Sequence, residues 1–409
     1  MELLYCDSAT TVGRARGSVG LCLSLNAALG VLMIKPRLFT PGPTDVSPEV
    51  LNEMAKPMFH HRTPRFQAMF GEVNAGLKKM LMTENDVLTL AGSGTAGMEA
   101  AIACACRRDK KVLVANGGKF GERWVKVAKI YGLDVDEVVL EWGTALTPET
   151  VQEKLATGEY GTVVVVHSET STATACDLEA IGKVVAGTDA ILIADCITGA
   201  GVLPLRTDEW KIDIVATGSQ KALMLPPGLA TLAVSEKAWK VIDTIKAPCF
   251  YLDLKAYRKS VAKNDTPYTP AVSLIRGMQV AVEMINAIGI EKVWSRAALL
   301  AKATRDACEA LGMKVFSQRP SDSVSGILYP PGVDDAFRKI LKDKYGISVA
   351  GGQNELKGKC FRTSHMGYVD PIETIGLIAA IEYTLADLGV EVEIGKGVAV
   401  ATRVLRDWA

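Results

Sequence analysis

The sequence predicts an α/β protein, with a doubly wound, mostly parallel sheet followed by a smaller α+β unit. Three observations predict it. From about residue 86, short runs of Val, Ile and Leu alternate with helical stretches, the pattern of successive βαβ units. Several of these runs have no polar break, as expected of strands buried on both faces. The rhythm then stops in a Lys-, Thr- and Pro-rich segment, residues 253–270, and long helices and short strands follow. At roughly 150 residues per domain, a chain of 409 residues suits two or three such units.

Taken in order, the expected strands are 87–90, 112–115, 162–166, 190–194, 214–217 and 229–234. Helices are expected between them at 97–107, 122–131, 148–155 and 178–186. Beyond the break, apolar residues recur at helical spacing over 273–287 and 290–311. Short strands at 315–316, 325–329, 347–350 and 360–363 and helices at 334–345 and 371–388 complete the smaller unit.

Composition narrows the function. Hydrophobic residues make up 48% and charged residues 22%, an ordinary globular balance that argues against disorder. Lys+Arg and Asp+Glu both number 46, so no global basic field exists to hold nucleic acid or an anionic membrane. The nine Cys are scattered and read as buried thiols of a reduced compartment. Cys104 and Cys106 form the one close pair, and with four His in the chain neither zinc nor an iron–sulfur cluster is expected. Residues 17–34 are apolar and follow Arg14 and Arg16, but Asn26 and three Gly make them a poor membrane helix. The plainer account starts translation at Met33 and places the protein in the cytoplasm, with residues 1–32 as an extension.

Four places carry chemistry, each at the expected C-terminal end of a strand, where open α/β sheets bind ligands. The first is Gly92-Ser93-Gly94-Thr95-Ala96-Gly97. Small residues there allow close backbone approach, and a helix N-terminus offers free N–H groups to a phosphate. Ser93 and Thr95 add hydroxyls. The G-x-G-x-x-G spacing is literal, but the next strand ends in Asn116 where a dinucleotide site wants an acid. A phosphate site is therefore expected and an NAD site is not; a structural glycine turn is the alternative. The second is Asp195, closing a run of apolar residues. It could hold a metal or a protonated ring nitrogen, or simply cap a helix. The third is Lys221, among small residues after an apolar strand, where desolvation lowers the pKa and suits Schiff-base chemistry. The fourth is Arg362, in a short apolar strand, suited to a bidentate grip on a carboxylate or to a structural ion pair. Together these are the parts that pyridoxal phosphate (PLP) bound to an amino acid requires.

From about Pro36 onward the chain resembles a class V (fold type I) PLP-dependent aminotransferase of the alanine–glyoxylate/serine–glyoxylate (serine–pyruvate) branch. Carrying the resemblance are Phe39-Thr40-Pro41-Gly42-Pro43-Thr44, His60-His61-Arg62-Thr63-Pro64, the Gly92 motif, His167-Ser168-Glu169-Thr170-Ser171-Thr172, Ala194-Asp195, Gly218-Ser219-Gln220-Lys221-Ala222 and Phe361-Arg362. The resemblance implies a large PLP-binding domain over 33–285, with an N-terminal arm and a mostly parallel sheet of the seven-stranded type, and a small C-terminal α+β domain over 286–409. It implies that Lys221 carries the Schiff base and Asp195 pairs with the pyridinium nitrogen. Ser93, Gly94 and Gln220 serve the phosphate, Thr95 lies beside the cofactor, Thr170 bonds the phenolic oxygen, and Phe120 stacks on the ring. Arg362 holds the substrate carboxylate, with backbone from Thr40 to Gly42 closing that side. Tyr268 and Thr269 fall in a loosely matched segment that reaches the phosphate of a neighbouring subunit, which implies a homodimer. The implied reaction moves the amino group of alanine or serine to glyoxylate or pyruvate by a ping-pong route.

Three rivals follow from the same residues. A cysteine desulfurase or lyase needs a mobile nucleophilic Cys, and Cys360 is two residues from Arg362 on an expected strand. An aminophosphonate transaminase would use the same fold. Some relatives of this branch carry an old label as a soluble hydrogenase subunit, which would make the chain non-catalytic.

Overall fold

The computed structural model describes residues 34–408. The expectations about residues 1–32 and a start at Met33 lie outside the described residues. A seven-stranded sheet forms the centre, in the order Asp86–Ala91, Leu229–Val234, Ile214–Gly218, Ile191–Asp195, Tyr160–Val166, Lys111–Asn116 and Val135–Val139. In this sheet only Leu229–Val234 runs against its neighbours. The architecture is therefore the mostly parallel α/β sheet that the apolar runs predicted.

Alternate strand residues point to opposite faces and feed two separate cores. Leu113, Val163, Leu192 and Val215 pack against Phe66, Phe70 and Leu77 of helix Pro64–Leu81 and against helix Val272–Ile288. Val112, Val164, Ile193 and Ala216 pack against helices Gly94–Ala105, Lys119–Ile130 and Glu236–Thr244. Several of the helices start where the sequence supplies both a cap and a proline. Thr63, Thr147 and Asp370 each precede a Pro at the first helical position, and each side chain accepts a backbone N–H of the first turn.

The C-terminal part builds an antiparallel sheet in the order Lys314–Val315, Val324–Leu328, Cys360–Ser364 and Ala350–Gly351. Helices Ile290–Ala310, Ala336–Tyr345 and Pro371–Asp387 cover it. The expected strand at 347–350 divides in two. Ile347–Ser348 pairs in parallel with Arg37–Leu38, while Ala350–Gly351 pairs with Cys360–Ser364. Phe39 accordingly lies in the core of this C-terminal layer.

Other departures have local causes. The edge strand Val135–Val139 carries Asp136 and Glu137 and is half-buried, so it lacks the apolar run that marks the central strands. The segment 253–270 holds a helix, Leu254–Val261, started by the Asp253 side chain accepting from Lys255 N at 3.1 Å. The helix expected at 97–107 begins three residues earlier, at Gly94, and ends at Ala105. That shift puts the glycine motif on the helix N-terminus itself. No described helix is long and apolar enough to cross a membrane.

Candidate active site

Lys221 follows the strand Ile214–Gly218 and is only 8% exposed. Its Nζ donates to the carbonyl of Pro41, and Thr44 Oγ1 donates to the Lys221 carbonyl at 2.9 Å. Gly42 has φ +131°, and a Cβ built there would lie 2.5 Å from Lys221 Nζ. The turn at residues 41–42 therefore closes over the amine only because it has no side chain at Gly42. Burial pushes the Lys221 pKa down to about 8; the Asp195 charge resists, and Arg362 and Arg123 add to the fall.

Asp195 ends the next strand of the sheet and is buried. One carboxylate oxygen accepts the Ile197 N–H at 3.0 Å and the other the Trp124 indole N–H at 2.8 Å. Burial pushes its pKa up to about 6 against these two hydrogen bonds, and nearby Glu169 adds to the rise while Lys221 opposes it. The carboxylate therefore closes an Asx-type turn instead of capping a helix. Its other oxygen is held by the Trp124 indole.

Gly94 opens helix Gly94–Ala105, and the Ser93 side chain caps none of its N–H groups. Gly218 packs on Gly94 so closely that a Cβ there would lie 3.4 Å from Gly94 Cα and 3.3 Å from Gln220 Oε1. Gln220 Oε1 is buried without a hydrogen-bond partner. Thr95 Oγ1 accepts from Arg123 at 3.2 Å, and the Arg123 guanidinium lies 5.0 Å from the centre of the Phe120 ring. Glycine backbone, a free helix start, Ser93, Thr95 and Gln220 thus converge on one place.

Arg362 reaches this cluster from the C-terminal sheet. It donates to Gly351 O at 3.0 and 2.8 Å and to Thr170 O at 2.7 Å. No carboxylate forms an ion pair with it among the described residues, so the ion-pair alternative is not what the fold uses. Each terminal nitrogen retains a second N–H. Thr170 Oγ1 shares a 2.8 Å hydrogen bond with Thr198 Oγ1. Thr40 Oγ1 donates to Pro43 O at 2.7 Å, shaping the turn over Lys221.

Residues 38–369 match the family model described as Aminotransferase class-V. The chain belongs to the class-V aminotransferases. It is 40% identical to a protein of Synechococcus sp. named soluble hydrogenase, small subunit, over 91% of this chain and 98% of that one. It is 36% identical to serine–glyoxylate aminotransferase of Methylorubrum extorquens, over 90% and 96%. The crystal structure of pyridoxamine–pyruvate aminotransferase from Mesorhizobium loti superposes with a TM-score of 0.86 at 31% identity, covering 91% of this chain and 97% of that one. The protein is an aminotransferase, and its architecture is fold type I.

Tyr268 and Thr269, which in this class-V aminotransferase are expected to reach a neighbouring subunit's phosphate, lie apart from the chain's own cluster. Tyr268 stacks on Tyr251 and donates to Phe250 O at 2.9 Å, and Thr269 is exposed. Their segment is instead anchored by Arg62, which donates to Thr266 O at 2.6 Å and to Asp265. Two residues without an expected role do join it. Glu169 is buried and takes the N–H groups of Phe120 at 3.1 Å and Gly121 at 3.0 Å. Trp124 contacts Asp195 directly. Glu169 lies inside the His167–Thr172 motif, and Trp124 follows Phe120 by four residues, the spacing of one helix face.

Proposed function

We propose that this aminotransferase uses PLP to move the amino group of a small amino acid, alanine or serine, to a 2-oxo acid such as glyoxylate or pyruvate. The observation that carries the reading is the buried Lys221 amine, with its pKa near 8, beside the buried Asp195 carboxylate. Two ionisable groups held out of water cost stability. A scaffold subunit would gain by replacing both with apolar residues, so the pair supports catalysis over the hydrogenase-subunit reading.

The residues present fit PLP. The Gln220 amide is buried beside a free helix N-terminus with its Oε1 unpartnered, and turning it presents its N–H2 donors to an anion. In this reading Ser93, Gly94, Thr95 and Gln220 hold the phosphate, Phe120 covers the ring face, Thr170 meets the phenolic oxygen, and Asp195 faces the ring nitrogen. Bound there, the cofactor supplies the electron sink that stabilises a carbanion at the substrate α-carbon. Arg362 grips the substrate carboxylate with its two remaining N–H groups. The backbone at Pro41 and Gly42 keeps water from that side. Lys221 Nζ, neutral above about pH 8, takes the α-proton as general base and holds it for return. One guanidinium clamp suits small monocarboxylic substrates.

Cys360 supports no desulfurase, because it is buried in the strand Cys360–Ser364 and burial pushes its thiol up to about 11. Phe250 and Met58, 80% and 67% exposed, support a homodimer in which the Tyr268–Thr269 segment meets the other copy's site. The free Cys thiols among the described residues support a cytoplasmic location.

An absorption spectrum of the PLP-loaded protein tests the reading. A visible band should bleach with L-alanine or L-serine, recover with glyoxylate, and be absent from a Lys221→Ala variant. A wild-type protein that stays colourless with added PLP overturns it.

A further inference from the structure

We propose that Trp124 is a positioning residue, whose indole N–H fixes the Asp195 carboxylate so that its remaining lone pairs face the cofactor ring nitrogen. The inference deepens the PLP reading above and rests on it.

Trp124 is fully buried, and apolar packing alone would account for its ring. Packing does not account for its N–H. The Nε1 atoms of Trp239 and Trp294 are also buried, and both have no hydrogen-bond partner. Burying a tryptophan in this protein therefore does not by itself supply an acceptor. Trp124 Nε1 instead reaches Asp195 Oδ2 at 2.8 Å, across 71 positions of sequence. With Ile197 N on Oδ1 at 3.0 Å, both oxygens are tethered and the carboxylate plane cannot swing. A carboxylate has about four lone-pair sites, so two tethers leave room for a ring N–H.

The helix that carries Trp124 is itself fixed. Lys119 N donates to Ser171 Oγ at 2.9 Å, and Phe120 N and Gly121 N donate to Glu169 Oε2. Phe120 and Trp124 are one helical turn apart on helix Lys119–Ile130. One rigid element thus presents an aromatic ring to the site and an N–H to its buried acid.

The tether also acts on charge. A donor on the ionised form keeps a buried carboxylate ionised. The groups facing Asp195 are Glu169, which disfavours its charge, and Lys221, which favours it. Of its nearest buried neighbours, His167 is held neutral, its pKa pushed down to about 4 by burial, and the Cys196 thiol is pushed well up. Neither supplies a counter-charge. The Trp124 and Ile197 N–H groups are therefore the direct hydrogen bonds that keep Asp195 ionised.

The test is PLP affinity of the purified apoprotein, measured by absorbance titration from pH 5 to 9, for wild type and Trp124→Phe. Phe keeps the apolar bulk and removes the donor. Affinity at pH 7 should fall on the order of tenfold, as for a lost hydrogen bond to a charged group. The midpoint of the acid-side loss of affinity should move up by about one pH unit. In an Asp195→Asn background the same substitution should change affinity less than about twofold. A uniform loss with an unmoved midpoint, or a full tenfold loss in the Asp195→Asn background, would make Trp124 structural and overturn the proposal. Should Trp124→Phe fail to fold, the wild-type Trp124 indole N–H resonance decides. It should shift on adding PLP and not on adding inorganic phosphate, and an unmoved resonance overturns the proposal. Wild-type protein that binds no PLP overturns the cofactor reading and this inference together, whereas PLP binding that is indifferent to Trp124 overturns this inference alone.

Discussion

Lys221 and Gly42 press against each other, and the contact decides how the amine behaves. The Pro41 carbonyl takes its N–H, a side chain at position 42 would collide with it, and the enclosure lowers its pKa to about 8. Only the neutral amine attacks a carbonyl. The rate at which apoprotein captures PLP should therefore rise about tenfold per pH unit up to about pH 8 and level off above it, as stopped-flow absorbance can read. A plateau near 10.5, the ordinary lysine value, would show that the amine is solvated. The sign for stability is opposite to that of an ion-paired lysine. The folded pKa lies below the unfolded one, so between about 8 and 10.5 the unfolded chain holds more protons. Raising pH through that window favours the folded state.

At the scale of the element, helix Lys119–Ile130 shows how secondary structure is tied to the site. It begins at Gly118, whose missing side chain leaves room for Ser171 and Glu169, and its own residues supply no side-chain cap. Glu169 supplies one from another element, and its carboxylate favours the positive end of the helix dipole. Burial nonetheless pushes the Glu169 pKa up, so the charge is tolerated for the bonds it makes. Glu169→Ala should leave the Phe120 and Gly121 N–H groups buried without acceptors. At about 1–3 kcal/mol per orphaned group, urea unfolding should show a loss of about 2–6 kcal/mol. A change under about 0.5 kcal/mol would mean that water replaces the cap.

Across the whole molecule, the large sheet and the C-terminal layer are linked more than once. Residues 37–39 pair with and pack into the C-terminal layer before the chain enters the large sheet. Arg362 returns from the C-terminal sheet to donate to Thr170 beside the large one. The proposed site is therefore assembled from both layers, and the proposed homodimer adds a second copy at the exposed Phe250 face. Light scattering on a sizing column should give twice the mass of one chain. Phe250→Asp, which puts a charge on that face, should weaken the dimer at least about tenfold on dilution. A fully active protein that elutes as a single chain at every concentration would remove the dimer from the account.

Residue type and position alone made the four chemical groups legible. Glycines at a helix start, an acid and a lysine after apolar strands and an arginine in an apolar strand are each costly or unusual there without a ligand. The central strands were legible for the same reason, since burial on both faces leaves an uninterrupted apolar run. Val135–Val139 was not, because an edge strand keeps its charges. Helix Leu254–Val261 was not, because its polar residues hide its apolar stripe. Tyr268 and Thr269 are expected at a neighbouring subunit's site, and within one chain they lie apart from the cluster, with Tyr268 stacked on Tyr251. Tertiary structure alone decided that Trp124 bonds Asp195, that Glu169 holds the Phe120 helix, and that Arg362 is spared an ion pair. Such contacts join residues far apart in sequence. A local pattern reports whether a side chain is buried, whereas the partner it meets there is set by how the helices and strands pack.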